Sequence, residues 1–398
     1  MRSGDLPAIL GGRPLSERPL HIVRPIFPRL ESFAERFQTT LASGAVTNQG
    51  PYVREFEIAL ARYMNVPGVV ACNNGQSALL IMLRAAGIDA GEVIVPSYTF
   101  SATPHAVRWC GATPVFAECD ERTLCIDSAD AERRITPRTR AILAVDVYGI
   151  ACDYAALDAI GKRHGIKILY DSAPSFGTRV GARTGGGFGD AQSFSFHATK
   201  AFTTMEGGCV ASRDEQLLCR AAELRNFGQS RGADCDEPGI NGKMTEVCAL
   251  IGLEQLPGFE VAIRRRAEVA ARYRRGLAKL AGLRLAEPPA DQEPVWLYFP
   301  VIIAKAEFGL DRAEVVRALV AENLYVRKYY EIPCHHLAAY AGAAHLSLPR
   351  SEAAAYNVVA LPVYNDMTDD EADRFIRAFE RIHRHARQVA EAVAKGPA

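Results

Sequence analysis

Lys200 stands between a run that reads as a strand, Ser193 to Phe196, and the pair Gly207-Gly208, within SFSFHATKAFTTMEGGCV (residues 193–210). An amine just past a strand end can be a solvated side chain, or a nucleophile that condenses with a carbonyl. Other stretches bear on that choice. Asp171 ends the apolar run IKILYD; ligands of open α/β sheets bind beyond such strand ends, although an aspartate there can also cap a helix. Gly75, Gln76 and Ser77 of NNGQSAL fall where a strand turns into a helix, a setting whose backbone amides and dipole suit a phosphate. Ser195, five residues before Lys200, can share that anion. Phe100 of PSYTFSA follows another strand end, where a ring stacks on a flat molecule or fills the core. Together, an amine, a carboxylate, a phosphate cradle and an aromatic plate meet the needs of pyridoxal 5′-phosphate. The lysine forms a Schiff base with the aldehyde, and the aspartate keeps the pyridine nitrogen protonated so that the ring absorbs carbanion electrons.

These side chains need a scaffold that brings strand ends together, and the pattern supplies one. GVVACN, EVIVPS, TPVFAECD, TRAILAVDVYG, IKILYDSA, AQSFSFH and GGCVAS read as strands. Between or around them YVREFEIALARYM, GQSALLIMLRAAG (with Gly87 as C-cap), SATPHAVRWCG, DYAALDAIGKRHG and residues 214–226 read as helices. Alternation of this kind predicts an α/β fold with a mostly parallel central sheet covered on both faces. A helix-rich stretch follows over 245–281, then PVWLYFPVII and EFGLDRAEVVRALVAENLYVRK as strand, turn, helix and strand. TDDEADRFIRAFERIHRHARQVAEAVA reads as one amphipathic helix with Thr368 as N-cap. The expected division is a large domain over 1–260, including an N-terminal segment, and a small α/β domain over 261–398.

The bulk numbers narrow the function. Lys plus Arg and Asp plus Glu both total 46, so no positive surplus points to nucleic acid or an anionic membrane. Ten cysteines show neither CxxC nor zinc spacing, and no apolar run suggests a signal or a membrane span. A cytoplasmic enzyme with reduced thiols and no metal is the expectation. His335 and His336 are adjacent, which predicts divergent side chains without partners. His197 packs or orients a neighbouring group, and IRRRAEVAARYRR reads as a solvated basic face.

The chain resembles the DegT/DnrJ/EryC1/StrS sugar aminotransferases over nearly its whole length, which implies the aspartate aminotransferase-like fold of type I. The resemblance is carried by GGRPL, TNQGPYVREFE, VIVPSYTFSATPHAVRWCGATPVFAECD, YDSAPSFGT, SFSFHATKAFTTMEGGCV, GINGKMTEVCALIGLEQL and LPVYNDMTDDE. It implies that Lys200 is the Schiff-base lysine, Asp171 the partner of the pyridine nitrogen, Gln76, Ser77 and Ser195 phosphate ligands, and Phe100 the stacking residue. It further implies that Asn241 reaches the phosphate of a neighbouring subunit, hence a homodimer with shared active sites, and that Arg327 and Tyr329 of RKYYEIP contact substrate. Two departures stand out. Pro174 occupies a position where the family usually has an amide or histidine touching the cofactor hydroxyl, with Ser175 next to it. Lys243 of GINGKM replaces an arginine, so substrate contact there loses the bidentate fork. The implied reaction moves an amino group from an amino acid, glutamate first, to a nucleotide-linked keto sugar, closest in look to C4 of dTDP-4-keto-6-deoxyglucose in deoxyamino sugar and antibiotic biosynthesis. A cyclitol ketone, a C3 keto sugar, a dehydratase or carbon–carbon bond-forming reaction, and a regulator that binds the cofactor without turnover remain as alternatives.

Overall fold

The structure, a computed structural model, describes residues 6–230 and 234–395. Its centre is a seven-stranded sheet in the order Gly68–Cys72, Gly208–Ser212, Ala191–Ser195, Lys167–Asp171, Thr139–Val145, Glu92–Pro96, Thr113–Ala117. Gly208–Ser212 alone runs against the others, pairing antiparallel with both neighbours; the remaining contacts are parallel.

The continuous apolar runs follow from burial on both faces. Along Glu92–Pro96, Val93 and Val95 join one cluster with Leu79 and Met82 of the helix Gly75–Ala85 and Val107 of the helix Ala102–Trp109. Ile94 faces the other way, into the cluster that holds Leu157 and Ile160 of the helix Tyr154–His164. Side chains alternate across a strand, so a sheet covered by helices on both sides reads as unbroken Val, Ile and Leu.

The helix Pro51–Met64 begins with an arrangement that accounts for the Gly-Pro of TNQGPYVREFE. Pro51 occupies the first turn, where a missing N–H costs nothing. The amides of Tyr52 and Val53 donate to the carboxylate of Glu246, at 2.8 and 3.1 Å. A Cβ at Gly50 would lie 2.5 Å from Cδ of that buried Glu246, so only glycine leaves room for the remote cap.

The C-terminal part holds an antiparallel sheet, Leu283–Leu285, Tyr298–Ile303 and Val358–Pro362. The helix Phe259–Leu277 runs unbroken through residue 260, and the first described residues pack on the C-terminal part. Leu20 bridges Leu324, and the amides of Ala8 and Leu15 donate to Glu322. Three expectations change. The strand expected in LYVRK is reduced to two isolated bridges, Leu324 with Leu20 and Arg327 with Ala360. The last helix is two, Asp369–Arg384 and Ala386–Lys395, because the chain turns at His385, whose amide donates to Arg381 and Ile382 carbonyls. A helix at Leu30–Ser43, not anticipated, buries only Phe33 and Thr40, too few for a periodic signal. Thr368 caps the helix Asp369–Arg384 as expected, in a capping box with Glu371.

Glu322 is fully buried and receives Arg381 Nε at 2.8 Å as well as Arg381 Nη2. Arg381→Met should leave that carboxylate without its cation and cost about 3–5 kcal/mol. Urea unfolding measures this; a midpoint unchanged from wild type would show that the two amides alone hold Glu322.

Candidate active site

The carboxyl ends of the parallel strands converge on a cavity of about 570 Å³ lined by Gly75, Gln76, Phe100, Asp171, Ser195, Lys200 and Tyr329, among others. Each arrives for a local reason. Asp171 is the last residue of its strand, buried, with Oδ2 accepting from Thr103 Oγ1 at 2.7 Å and Oδ1 from the Ala173 amide at 3.2 Å. Burial raises its pKa, opposed by those two donors and by the charge of Lys200. Lys200 sits in the loop between the strands Ala191–Ser195 and Gly208–Ser212. Its amide donates to His197 O at 2.9 Å. Phe196 and Phe202, which contact each other in an aromatic cluster with Phe56 and Phe176, anchor the loop on either side. Asn365 Nδ2 donates to Ala201 O at 2.9 Å and ties the loop to the C-terminal part. Burial lowers the Lys200 pKa, and the charge of Asp171 partly restores it.

The helix Gly75–Ala85 starts at the cavity, with Asn74 as N-cap accepting from the Ser77 amide at 2.8 Å. Gly75 abuts Ser195 so closely that a Cβ there would fall 2.6 Å from Ser195 Cβ. That backbone-lined concavity, with a helix N-terminus and a serine hydroxyl, has the chemistry of a phosphate site. Phe100 leaves 59% of its surface exposed on the cavity wall, where a flat ring would cover it. An amine, a buried carboxylate, an anion cradle and an uncovered aromatic in one cavity fit pyridoxal phosphate. Lys200 would hold its aldehyde carbon, Asp171 its ring nitrogen, and Gly75, Gln76 and Ser195 its phosphate.

The remaining expected residues are placed differently. Ser77 is in the first turn of the helix, is not among the cavity-lining residues, and has its amide committed to the Asn74 cap. Arg327 lines an adjoining groove that shares Phe100 and Tyr329 with the main cavity. Asn241 and Lys243 do not line the cavity of their own chain. Asn241 is exposed, accepts from Lys243 Nζ at 2.7 Å, and lies on a loop where Lys243 also sits 4.5 Å above the Phe227 ring. Pro174 lines the cavity, but Ser175 does not replace the missing hydroxyl contact; its Oγ donates to buried Asp146 at 2.8 Å. His197 and Glu206 face each other at 3.4 Å on the cavity wall.

Sequence reasoning missed Thr103, Tyr148, Tyr298 and Tyr330. Tyr98 Oη donates to Tyr329 O at 2.6 Å and Tyr148 Oη donates to the same carbonyl, holding that wall in place. These tyrosines lie far apart in sequence, so only the folded chain shows them as a group. The expectation that His335 and His336 diverge is also overturned. On a short 3₁₀ turn, Cys334–His336, their ring centroids are 4.0 Å apart.

The fold and this site define a pyridoxal phosphate-dependent aminotransferase of the α/β type. The chain belongs to the DegT/DnrJ/EryC1/StrS aminotransferase family, whose sequence pattern matches residues 29–380. It is 31% identical, over 92% of this chain and all of the relative, to a dTDP-4-amino-4,6-dideoxy-D-glucose transaminase of Shigella dysenteriae. It is 35% identical, over 86% of this chain and 89% of the relative, to a dTDP-3-amino-3,4,6-trideoxy-alpha-D-glucose transaminase of Streptomyces venezuelae. The solved structure of DesI in the presence of its TDP-sugar product superposes with a TM-score of 0.90 at 36% identity, covering 98% of this chain and 99% of that one.

The lowered Lys200 pKa sets a pH dependence. In the cofactor-free protein, the rate at which Lys200 captures pyridoxal phosphate should rise with pH and level off below the ordinary lysine value of 10.5. Asp171→Asn removes a charge that favours the ammonium form, so the plateau should move to still lower pH. Stopped-flow absorbance measures both; a wild-type rate still climbing at the ordinary lysine value would contradict the assignment.

Proposed function

We propose that the chain transfers an amino group from an amino acid, L-glutamate, to C4 of dTDP-4-keto-6-deoxyglucose, a step of deoxyamino sugar biosynthesis. The observation that carries this reading is the half-buried amine of Lys200 facing the cavity beside buried Asp171. When bound, pyridoxal phosphate supplies an electron sink for the carbon that loses its proton. The protein supplies the rest. Lys200 Nζ, held neutral more readily than a free lysine, would carry the proton from the donor carbon to the C4′ carbon of the cofactor within the first half of the cycle, and reverse that shift in the second. Asp171 would keep a proton on the ring nitrogen. Gly75, Gln76 and Ser195 would anchor the phosphate, and Phe100 would stack on the ring. Arg327 and Tyr329, on the wall that joins the cavity to its outer groove, meet the sugar nucleotide. Donor and acceptor use one site in turn, which calls for ping-pong kinetics. Resemblance to enzymes of 4-amino and 3-amino sugars supports the substrate class; the choice of C4 rests on the stretches PLHIVRPIF, TNQGPYVREFE and NGKM.

The shared-site dimer belongs to the same proposal. Asn241 and Lys243 sit outside their own cavity, beside Phe227 and Ile240, which expose 47% and 37% of their surface. A second chain covering that loop would receive Asn241 at its phosphate and Lys243 at its substrate.

Loaded protein given L-glutamate alone should release 2-oxoglutarate in one equivalent per site. With a panel of dTDP-linked 4-keto and 3-keto sugars and a cyclitol ketone, kcat/KM should be highest for the 4-keto sugar. No oxoacid would exclude transamination, and a higher value for the 3-keto sugar or cyclitol would overturn the C4 choice.

The dimer is tested by mixing. Asn241→Ala should weaken cofactor retention about ten- to a hundredfold, the worth of a charged hydrogen bond of roughly 1.5–3 kcal/mol. A hybrid of Lys200→Ala and Asn241→Ala chains puts both defects in one site and leaves the other whole, recovering up to half the tight sites. Recovery no greater than the sum of the parents, after verified subunit exchange, would show that Asn241 serves its own chain.

A further inference from the structure

Away from the cavity, three side chains from two elements meet. His335 and His336 lie on the 3₁₀ turn Cys334–His336, and Glu352 lies on the helix Pro349–Asn357. One ligand atom from each falls within 4.8 Å of the other two. His335 is fully buried, and its Nε2 makes no hydrogen bond. Glu352 Oε1 lies 3.4 Å from that nitrogen. A bare buried ring nitrogen is costly unless something occupies it.

We propose that His335, His336 and Glu352 form a binding site for a divalent transition cation of the zinc type. Two imidazoles and one carboxylate suit zinc; magnesium and calcium prefer oxygen alone. Bonds of about 2.1 Å in a tetrahedral site place ligand atoms roughly 3.4 Å apart, and the His335–Glu352 pair already has that spacing. The outer contacts also fit. His335 Nδ1 shares a hydrogen bond of 2.5 Å with Ser97 Oγ. With Nδ1 as the protonated nitrogen, Nε2 presents its lone pair toward Glu352, the arrangement in which ligating histidines are held. Glu352 Oε1 also accepts from the Leu348 amide at 2.9 Å, which fixes the carboxylate. Three protein ligands leave a fourth position to water.

The cation would tie the helix Pro349–Asn357 to the segment that follows Tyr329 and Tyr330. That segment is already joined to the cavity wall, because Cys334 N donates to Ser97 O at 2.8 Å and Cys334 Sγ to Thr99 O at 3.3 Å. The cation would thus have a mechanical link to the cavity wall from outside the cavity.

The experiment is a calorimetric titration of zinc chloride into chelator-treated, pyridoxal phosphate-loaded protein. A Cys219→Ser, Cys235→Ser background removes the two exposed thiols, which could bind zinc themselves. One equivalent per chain is expected, with a rise in melting temperature. His336→Ala and Glu352→Gln should each weaken binding about tenfold or more, and Ser97→Ala about ten- to a hundredfold through the outer contact. Circular dichroism checks that each variant is folded. Glu352→Gln keeps an acceptor for the Leu348 amide, so it decides the matter if His336→Ala misfolds. No saturable zinc, or equal affinity in Glu352→Gln and its parent, overturns the site.

Discussion

Two carboxylates lie buried side by side at the carboxyl ends of adjacent strands, and the active site is built around keeping them there. Asp146 and Asp171 are linked through the backbone, Asp146 N donating to Asp171 O at 3.2 Å. Removing a carboxylate from water costs several kcal/mol unless donors replace the hydration shell. Asp146 receives four: the Cys152 amide at 3.0 Å and the hydroxyls of Tyr154, Ser172 and Ser175 at 2.7–2.8 Å. Burial still pushes its pKa up. Ser172 and Ser175 follow Asp171 in the chain, so satisfying Asp146 also fixes the course of the backbone just beyond Asp171. Gln192 extends the frame by donating to Ser172 Oγ at 2.8 Å.

On this frame the cavity acquires two kinds of wall. One is rigid strand end: Ser195, Asp171 and the helix N-terminus at Gly75. The other is brought from a distance and held by few polar contacts, as where Tyr98 and Tyr148 grip the Tyr329 carbonyl. Lys200 sits between them, in a loop anchored by Phe196 and Phe202 on the sheet side and by Asn365 on the other. An anchored backbone with a free side chain suits the part proposed for that amine.

Much of this was legible before the fold was seen, because it depended on local signals. Lys200, Asp171, Gly75 and Ser195 each lie at a strand end or helix start, which apolar runs and small residues mark in the sequence. The residues that escaped are those defined by distant contact. Nothing near Thr103 announces that its hydroxyl meets Asp171, 68 positions later. The place of Ser175 was open until its hydroxyl was seen committed to Asp146. Adjacency misled at His335 and His336, because opposed side chains are a property of extended backbone and these two lie on a turn. The C-terminal helix read as one because the break at His385 carries neither proline nor glycine.

The cap on the helix Pro51–Met64 has a consequence for how the chain is made. The carboxylate that receives the Tyr52 amide lies 194 residues downstream, and the strand Gly68–Cys72 pairs with Gly208–Ser212, with a further bridge from Cys72 to Lys243. A ribosome adding about 5–20 residues per second leaves the helix without its cap for roughly 10–40 s and the strand without its neighbour for roughly 7–28 s. Helix Pro51–Met64, with Phe56 and Leu60 awaiting cover, is therefore a nascent segment that a chaperone would meet, and the large sheet closes as a late event of synthesis.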